Sequence, residues 1–356
     1  MGVKLRSKLS KFFGQSHEDH HGLALDLVEA GTDEDLKESV GKKISKALPQ
    51  GITSGMLYSD IVKIAWPSFV ELTLTQLTSM ADMMMVGRLG AYAISGVGLT
   101  NQPKFLLMTM FIAMNVGATA LVARYKGAEE RQKANTVLRQ ALLLSFVFSL
   151  VASIIGYIYS EPMVKFMGAA DEETLAAGTI YLKIQMVGFV FMALTSTITA
   201  ALRGIGDSKT AMVYNLTANV VNVILNYLLI YGKFGFPRLE VAGASLATII
   251  GQFVAFVMAV RAITRKGEYL ELDIREGFKP NWRVLKNIFN IGIPAMIEQL
   301  VMRAGVIIYA RTVASLGTVA FATHQVCMNI QAMSFMNGQA FAVSATSLVG
   351  QSLGKK

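Results

Sequence analysis

From residue 56 onward the chain reads as long apolar runs broken by short polar connections. A bilayer core of about 30 Å takes roughly 20 mostly apolar residues in a helix. Eight stretches meet that length: 57–86, 93–123, 138–159, 179–202, 211–231, 241–262, 288–313 and 319–350. The runs are long and lack strict alternation, so they predict helices and not barrel strands. The first 55 residues differ. Lys4, Arg6, Lys8 and Lys11 interleave with Leu5, Leu9, Phe12 and Phe13, the pattern of a short basic helix lying on a membrane surface, and a polar tail follows.

Composition agrees. Of the 356 residues, 53% are hydrophobic and 16% charged, against about 25% charged in soluble domains. Sixteen of the 57 charged residues fall within the first 50 positions, which leaves the rest still poorer in charge. A soluble multidomain enzyme is excluded on this ground. A disulfide scaffold is excluded by the single cysteine, Cys327.

The formal charge of +9 raises nucleic acid as a partner, but the basic residues sit where membrane orientation needs them. Arg124, Lys126, Arg131 and Lys133 follow span two, Arg203 and Lys209 follow span four, and Arg265, Lys266, Arg275, Lys279, Arg283 and Lys286 follow span six. The opposite connections carry Glu161, Asp171, Glu172 and Glu173. The even-numbered connections and the N-terminus are therefore expected in the cytoplasm, with the chain in the cell (plasma or inner) membrane and no nucleic-acid partner.

Shifted by 227 residues, the sequence overlays itself without gaps. Ile64–Pro67 falls on Ile291–Pro294, Glu71 on Glu298, Leu89-Gly90 on Leu316-Gly317, Ala118-Thr119 on Ala345-Thr346, and Gly127 on Gly354. Spans one and two thus match spans seven and eight in the same direction, the plan of a parallel-repeat transporter with a site between its halves. The expected fold class is all-α, a polytopic membrane protein. Its parts are a polar, basic cytoplasmic extension (1–55), a six-helix N-lobe (56–263), a basic cytoplasmic linker (264–287) and the first two helices of a C-lobe (288–356). Four further helices are absent or supplied elsewhere, and a truncated sequence is the expectation.

Two polar stripes run through apolar helices. Span one carries Glu71, Thr75, Thr78 and Asp82, and span five carries Asn215, Asn219, Asn222 and Asn226. Both sets have offsets 0, +4, +7 and +11, which places each on one helix face. Lipid cannot satisfy such groups, so the stripes are expected to face an interior or a water-filled cavity. Counted from Lys63 and Lys209, Asp82 and Asn226 lie at similar depth, about 28 and 25 Å along their helices. A carboxylate flanked by carboxamide oxygens suits a hard monovalent cation or, in an apolar surround, a proton. Asp82, Asn222 and Asn226 are therefore the candidate Na⁺ or H⁺ site. The alternative for Asp82 is a helix-end residue touching external water. Asn215 and Asn219 read better as interhelical hydrogen-bonding groups.

Glu71, Gln76, Thr78, Glu298 and Arg303 are candidates for substrate or coupling contacts. Glu71 and Glu298 either pair with Arg303 or meet a cationic substrate. Pro67 is the expected hinge, because proline removes a helix hydrogen bond. Methionines 80, 83, 84, 85, 108, 110 and 114 cluster near spans one and two, which suits packing or an adaptable cavity lining. His17–His21 matches the H-E-x-x-H zinc pattern, but in a polar tail without an apolar helix face. His324 and Cys327 read as packed residues. No P-loop or dinucleotide fingerprint is present, so no enzyme and no cofactor beyond a coupling ion is expected.

The turn Arg203-Gly204-Ile205-Gly206-Asp207-Ser208-Lys209-Thr210, the stretch Asp82-Met83-Met84-Met85-Val86-Gly87-Arg88-Leu89-Gly90, the run from Tyr231-Gly232 to Val241-Ala242-Gly243-Ala244, and Phe341–Thr346 with Val349-Gly350-Gln351 together resemble the multidrug and toxic compound extrusion (MATE) family. The resemblance implies twelve helices in two six-helix lobes. It implies antiport of organic, often cationic, compounds against inward H⁺ or Na⁺, with Asp82 as the N-lobe cation carboxylate and Asn222 as the family's asparagine on span five. Some branches have a second acid where Asn226 stands. The expected partners are small organic molecules and the bilayer, with a monomer favoured. A lipid-linked oligosaccharide flippase of related plan, or a non-transporting fragment, are the alternatives.

Overall fold

The computed structural model describes residues 54–169, 172–265, 267–272, 280–315 and 318–355. The basic N-terminal segment, the His17–His21 motif and the side chains of His324 and Cys327 lie outside the described residues. The chain divides after Ser59. Residues 60–356 form one unit.

The described residues form nine helices and no strand: α1 (Ser54–Gly87), α2 (Ala91–Gly127), α3 (Arg131–Ile158), α4 (Ser160–Phe166), α5 (Glu172–Gly204), α6 (Ser208–Tyr231), α7 (Glu240–Ile263), α8 (Trp282–Ser315) and α9 (Thr318–Gly354). Each of the eight expected spans is one of the long helices. The connection after span three is not simply a loop, because α4 adds two turns there. By length and apolar content α2, α3, α5, α6 and α7 qualify as membrane spans. Helices α1, α8 and α9 run 34, 34 and 37 residues but are interrupted by more polar and charged groups, such as Glu71 and Asp82 in α1 and Glu298 and Arg303 in α8. The molecule is a multi-pass membrane protein.

Helix α5 is the centre of the bundle, packed on α2, α3 and α7, with α6 held by α7. The core between these helices is built from small residues, including Ala134, Ala201, Ala211, Ala255 and Ala259, with Tyr214, Leu138 and Ile198 filling the gaps. Small side chains let helices approach closely where lipid supplies no hydrophobic drive.

The turn joining α5 to α6 shows why its residues are needed. Gly206 has φ +89, a backbone state that costs a side chain energy and glycine little. Asp207 then caps α6, its carboxylate accepting from the Thr210 backbone N–H at 3.1 Å, which satisfies one orphan donor of the helix start.

The internal repeat is visible as exchanged contacts. A Cβ on Gly127 would overlap the Gln351 carbonyl, and a Cβ on Gly354 would overlap that of Arg124. Gly117 packs on the Ile288 carbonyl, and Ser344 Oγ donates to the Ile61 carbonyl at 3.1 Å. Each pair becomes the other when 227 is added or subtracted, so α1–α2 and α8–α9 are related by an approximate two-fold.

Candidate functional site

Helices α1 and α6 run parallel and in constant register, and their polar stripes meet rung by rung. Asn215 Nδ2 donates to Glu71 Oε1 at 2.7 Å, Asn219 Nδ2 to Thr75 Oγ1 at 2.9 Å, and Asn226 Nδ2 to Asp82 Oδ1 at 2.6 Å. Tyr231 continues the seam, its hydroxyl donating to the Met85 carbonyl at 2.9 Å. The common spacing follows from matching offsets on two helices of equal pitch.

Asp82 is half-buried and Asn226 fully buried. A carboxylate only accepts hydrogen bonds, so the Asn222 amide turns its nitrogen toward Asp82. It then donates at 3.0 and 3.1 Å to the two carboxylate oxygens, and its own oxygen accepts from Thr248 Oγ1 at 3.2 Å. Two carboxamides thus clamp one acid, and Thr248 ties the clamp to α7. Asn226 Oδ1 is buried without a hydrogen-bond partner among the described residues. That leaves an unused acceptor beside the carboxylate.

These groups line a cavity of about 270 Å³. Its walls carry Thr75, Thr78, Asp82 and Met83 from α1 and Asn101 and Lys104 from α2. Tyr181 and Gln185 come from α5, Asn219, Asn222 and Asn226 from α6, and Thr248 and Gln252 from α7. Thr78 points into this space but donates its hydroxyl to its own helix, at the Leu74 carbonyl, 2.9 Å.

Glu71 is not part of the cavity, and it does not pair with Arg303. Its partner is Arg203 from the α5–α6 turn, Nη2 to Oε1 at 2.8 Å, joined by Asn215. The guanidinium at the end of α5 reaches sideways to α1, which spacing along one helix does not reveal. Arg303 stacks on Phe105 of α2, 4.9 Å from the ring centroid, while Glu298 is exposed and Gln76 half-buried, and none of the three lines the cavity. Of the methionine cluster only Met83 does so. Met80, Met84 and Met110 are exposed on the outside of their helices and Met114 is packed away. Pro67 lies within an unbroken α1, where Ser68 Oγ donates back to the Ile64 carbonyl at 3.2 Å.

Two roles have no counterpart in the sequence pattern. Gln351 donates to the Gly204 carbonyl at 3.1 Å, and so does Ser347 at 3.2 Å. The Arg203–Thr210 turn is therefore held by α9. Lys104 is a basic residue in the cavity wall itself. A lone charge in an apolar run, next to Pro103, was its only signal.

Comparison with known proteins follows this geometry. The MatE family model matches residues 67–228 and 294–356. The chain is 31% identical over 293 residues to the probable multidrug resistance protein NorM of Thermotoga maritima, covering 82% of this chain and 62% of that protein. It is 26% identical to the multidrug resistance protein MdtK of Yersinia pestis, covering 83% and 65%. In fold it is similar to a solved MOP superfamily transporter from Pyrococcus furiosus, with TM-score 0.76 and 24% identity, covering 83% of this chain and 65% of that one. The matched family segments take in both polar stripes and both copies of the repeat: the chain belongs to the MatE family.

Proposed function

We propose that the chain carries the cation-coupling half of a secondary active exporter, which expels small organic compounds against an inward flow of H⁺ or Na⁺. The observation that carries this reading is the clamp on Asp82. An acid inside a membrane bundle is costly unless a charge partner sits on it. Here two carboxamides orient the carboxylate, and Asn226 Oδ1 stands beside it as a further oxygen ligand. A proton or a small hard cation completes such a set.

Loading the cation removes the carboxylate's charge and loosens the reason for α1 to stay against α6. The missing N–H of Pro67 gives α1 a weak point at which to bend. The lobes then exchange access, release the ion on the cytoplasmic side, and reload with substrate. The N-terminus and the basic connections face the cytoplasm in this scheme, with the protein in the plasma or inner membrane. The relatives above are named for multidrug resistance, which agrees with this reading.

The test is gradient-driven export of a fluorescent organic compound from membrane vesicles carrying the protein. Asp82→Asn keeps a hydrogen-bonding group but no titratable charge, and is expected to abolish most of the gradient-driven export. Undiminished export by Asp82→Asn overturns the coupling role.

A further inference from the structure

The cavity has a second pole. Lys104 of α2 lines it, and its ammonium, which has no hydrogen bond among the described residues, is held only by through-space attraction to Asp82 in the same cavity. Gln185 of α5 lines it too. That residue is 6% exposed, and its Nε2 donor is buried without a partner. An ammonium without a hydrogen-bond acceptor in contact and an unmade amide donor are each costly in a low-dielectric interior. Both are hydrogen-bond donors, and both line the same cavity. Asp82 at the other pole is already engaged by Asn222 and Asn226, which leaves it room for a small ion but little for a bulky ammonium group. The acid pole is built from α1 and α6 with Thr248 of α7 behind Asn222, while the donor residues come from α2 and α5.

We propose that Lys104 and Gln185 form a subsite for an anionic group on the transported molecule, so that the cavity takes small organic anions or zwitterions bearing a sulfonate, carboxylate or phosphate. This rests on the exporter reading and names its substrate class. Lys104 supplies the charge and Gln185 the direction. A charge-assisted hydrogen bond is about twice as strong as a neutral one, so the lysine is expected to dominate.

Equilibrium binding to the purified protein tests this without any need for export. Benzenesulfonate and benzyltrimethylammonium are of similar size and opposite, permanent charge, and their affinities are measured by calorimetry. The expected result is that the wild type binds benzenesulfonate, that Lys104→Met weakens it about tenfold or more, and that Lys104→Arg restores most of it. Gln185→Leu is expected to weaken it by about threefold, with benzyltrimethylammonium no weaker in Lys104→Met than in the wild type. Full benzenesulfonate affinity in Lys104→Met, or no benzenesulfonate binding by the wild type, overturns the proposal. If Lys104→Met does not fold, Lys104→Arg and Gln185→Leu decide: loss in the arginine variant, or no change in the leucine variant, overturns it. Asp82→Asn separates the two readings, because removing the cavity's negative charge is expected to tighten benzenesulfonate binding while coupled export is lost. A purely structural counter-ion role for Lys104 would shift stability and leave binding of both probes unchanged.

Discussion

Glu71 and Asp82 sit on the same face of α1, yet they meet different fates because of what faces them. Glu71 finds a guanidinium and a carboxamide, with Arg203 at 18% and Glu71 at 7% side-chain exposure. Asp82 finds carboxamides alone within contact distance and opens on the cavity. The first arrangement is an ion pair that holds helices together; the second leaves a charge to be balanced by something that comes and goes. Removing one partner of a buried pair typically costs about 3–5 kcal/mol, because the other charge is stranded. Partial exposure of Arg203 puts Glu71→Gln below that range, at about 2–3 kcal/mol. Thermal unfolding of the purified variants checks this. The double variant Glu71→Gln with Arg203→Met is expected to recover part of the loss, and a double variant no better than the single would deny the ion pair its structural role.

At the scale of elements, the position of the acid clamp depends on how closely α6 and α7 approach. A Cβ at Gly251 of α7 would lie 2.8 Å from the Ala218 carbonyl and 3.2 Å from Asn222 Cβ. Both are contacts with α6, one of them with the clamp itself. Gly251→Val must push the helices apart, at an overpacking cost of about 1–3 kcal/mol. It is expected to weaken cation-dependent stabilisation of the protein more than Gly98→Val, where a Cβ meets nothing within 4 Å. Equal responses of the two variants to added Na⁺ or to pH would argue that clamp geometry is not set by this crossing. The connection after α7 is also an element in its own right. Arg131 of α3 donates to the Glu268 and Tyr269 carbonyls and pairs with Glu271 at 2.8 Å, and Lys126 lies 3.7 Å over the Tyr269 ring. Basic residues read from the sequence as orientation signals thus also fasten this connection to the α2–α3 turn.

Across the whole molecule the two copies of the repeat touch most closely where the basic ends of α2 and α9 cross. Ala123 Cβ is 2.6 Å from where a Cβ on Gly350 would lie, close enough that a small separation reaches the roughly 3.8 Å usual in disulfides. If the lobes part at this end during transport, a disulfide between Ala123→Cys and Gly350→Cys is expected to form under oxidation and to stop export, with activity returning on reduction. Export unaffected by a fully formed cross-link would mean that this crossing stays closed through the cycle.

Much of this architecture was legible along the chain. Apolar length marks the long helices, since a bilayer imposes one span length on all of them. A constant offset of 227 residues marks the repeat, and identical offsets on spans one and five mark two faces that can lie in register. All of these are one-dimensional periodicities. What they leave open is which faces turn toward each other. Arg203 reaches Glu71 where Arg303 was a candidate, Gln351 holds the turn at Gly204, and Lys104 stands in the cavity with Asp82. Each joins residues far apart in sequence through helix rotation and crossing, which are settled by small-residue packing among several helices at once. The sequence by itself determined the spans, the two-fold plan and the existence of a polar seam. Only the tertiary structure decided which charges neutralise one another and which are left facing the cavity, because charge pairing depends on distances of a few ångströms that no spacing along a single helix encodes.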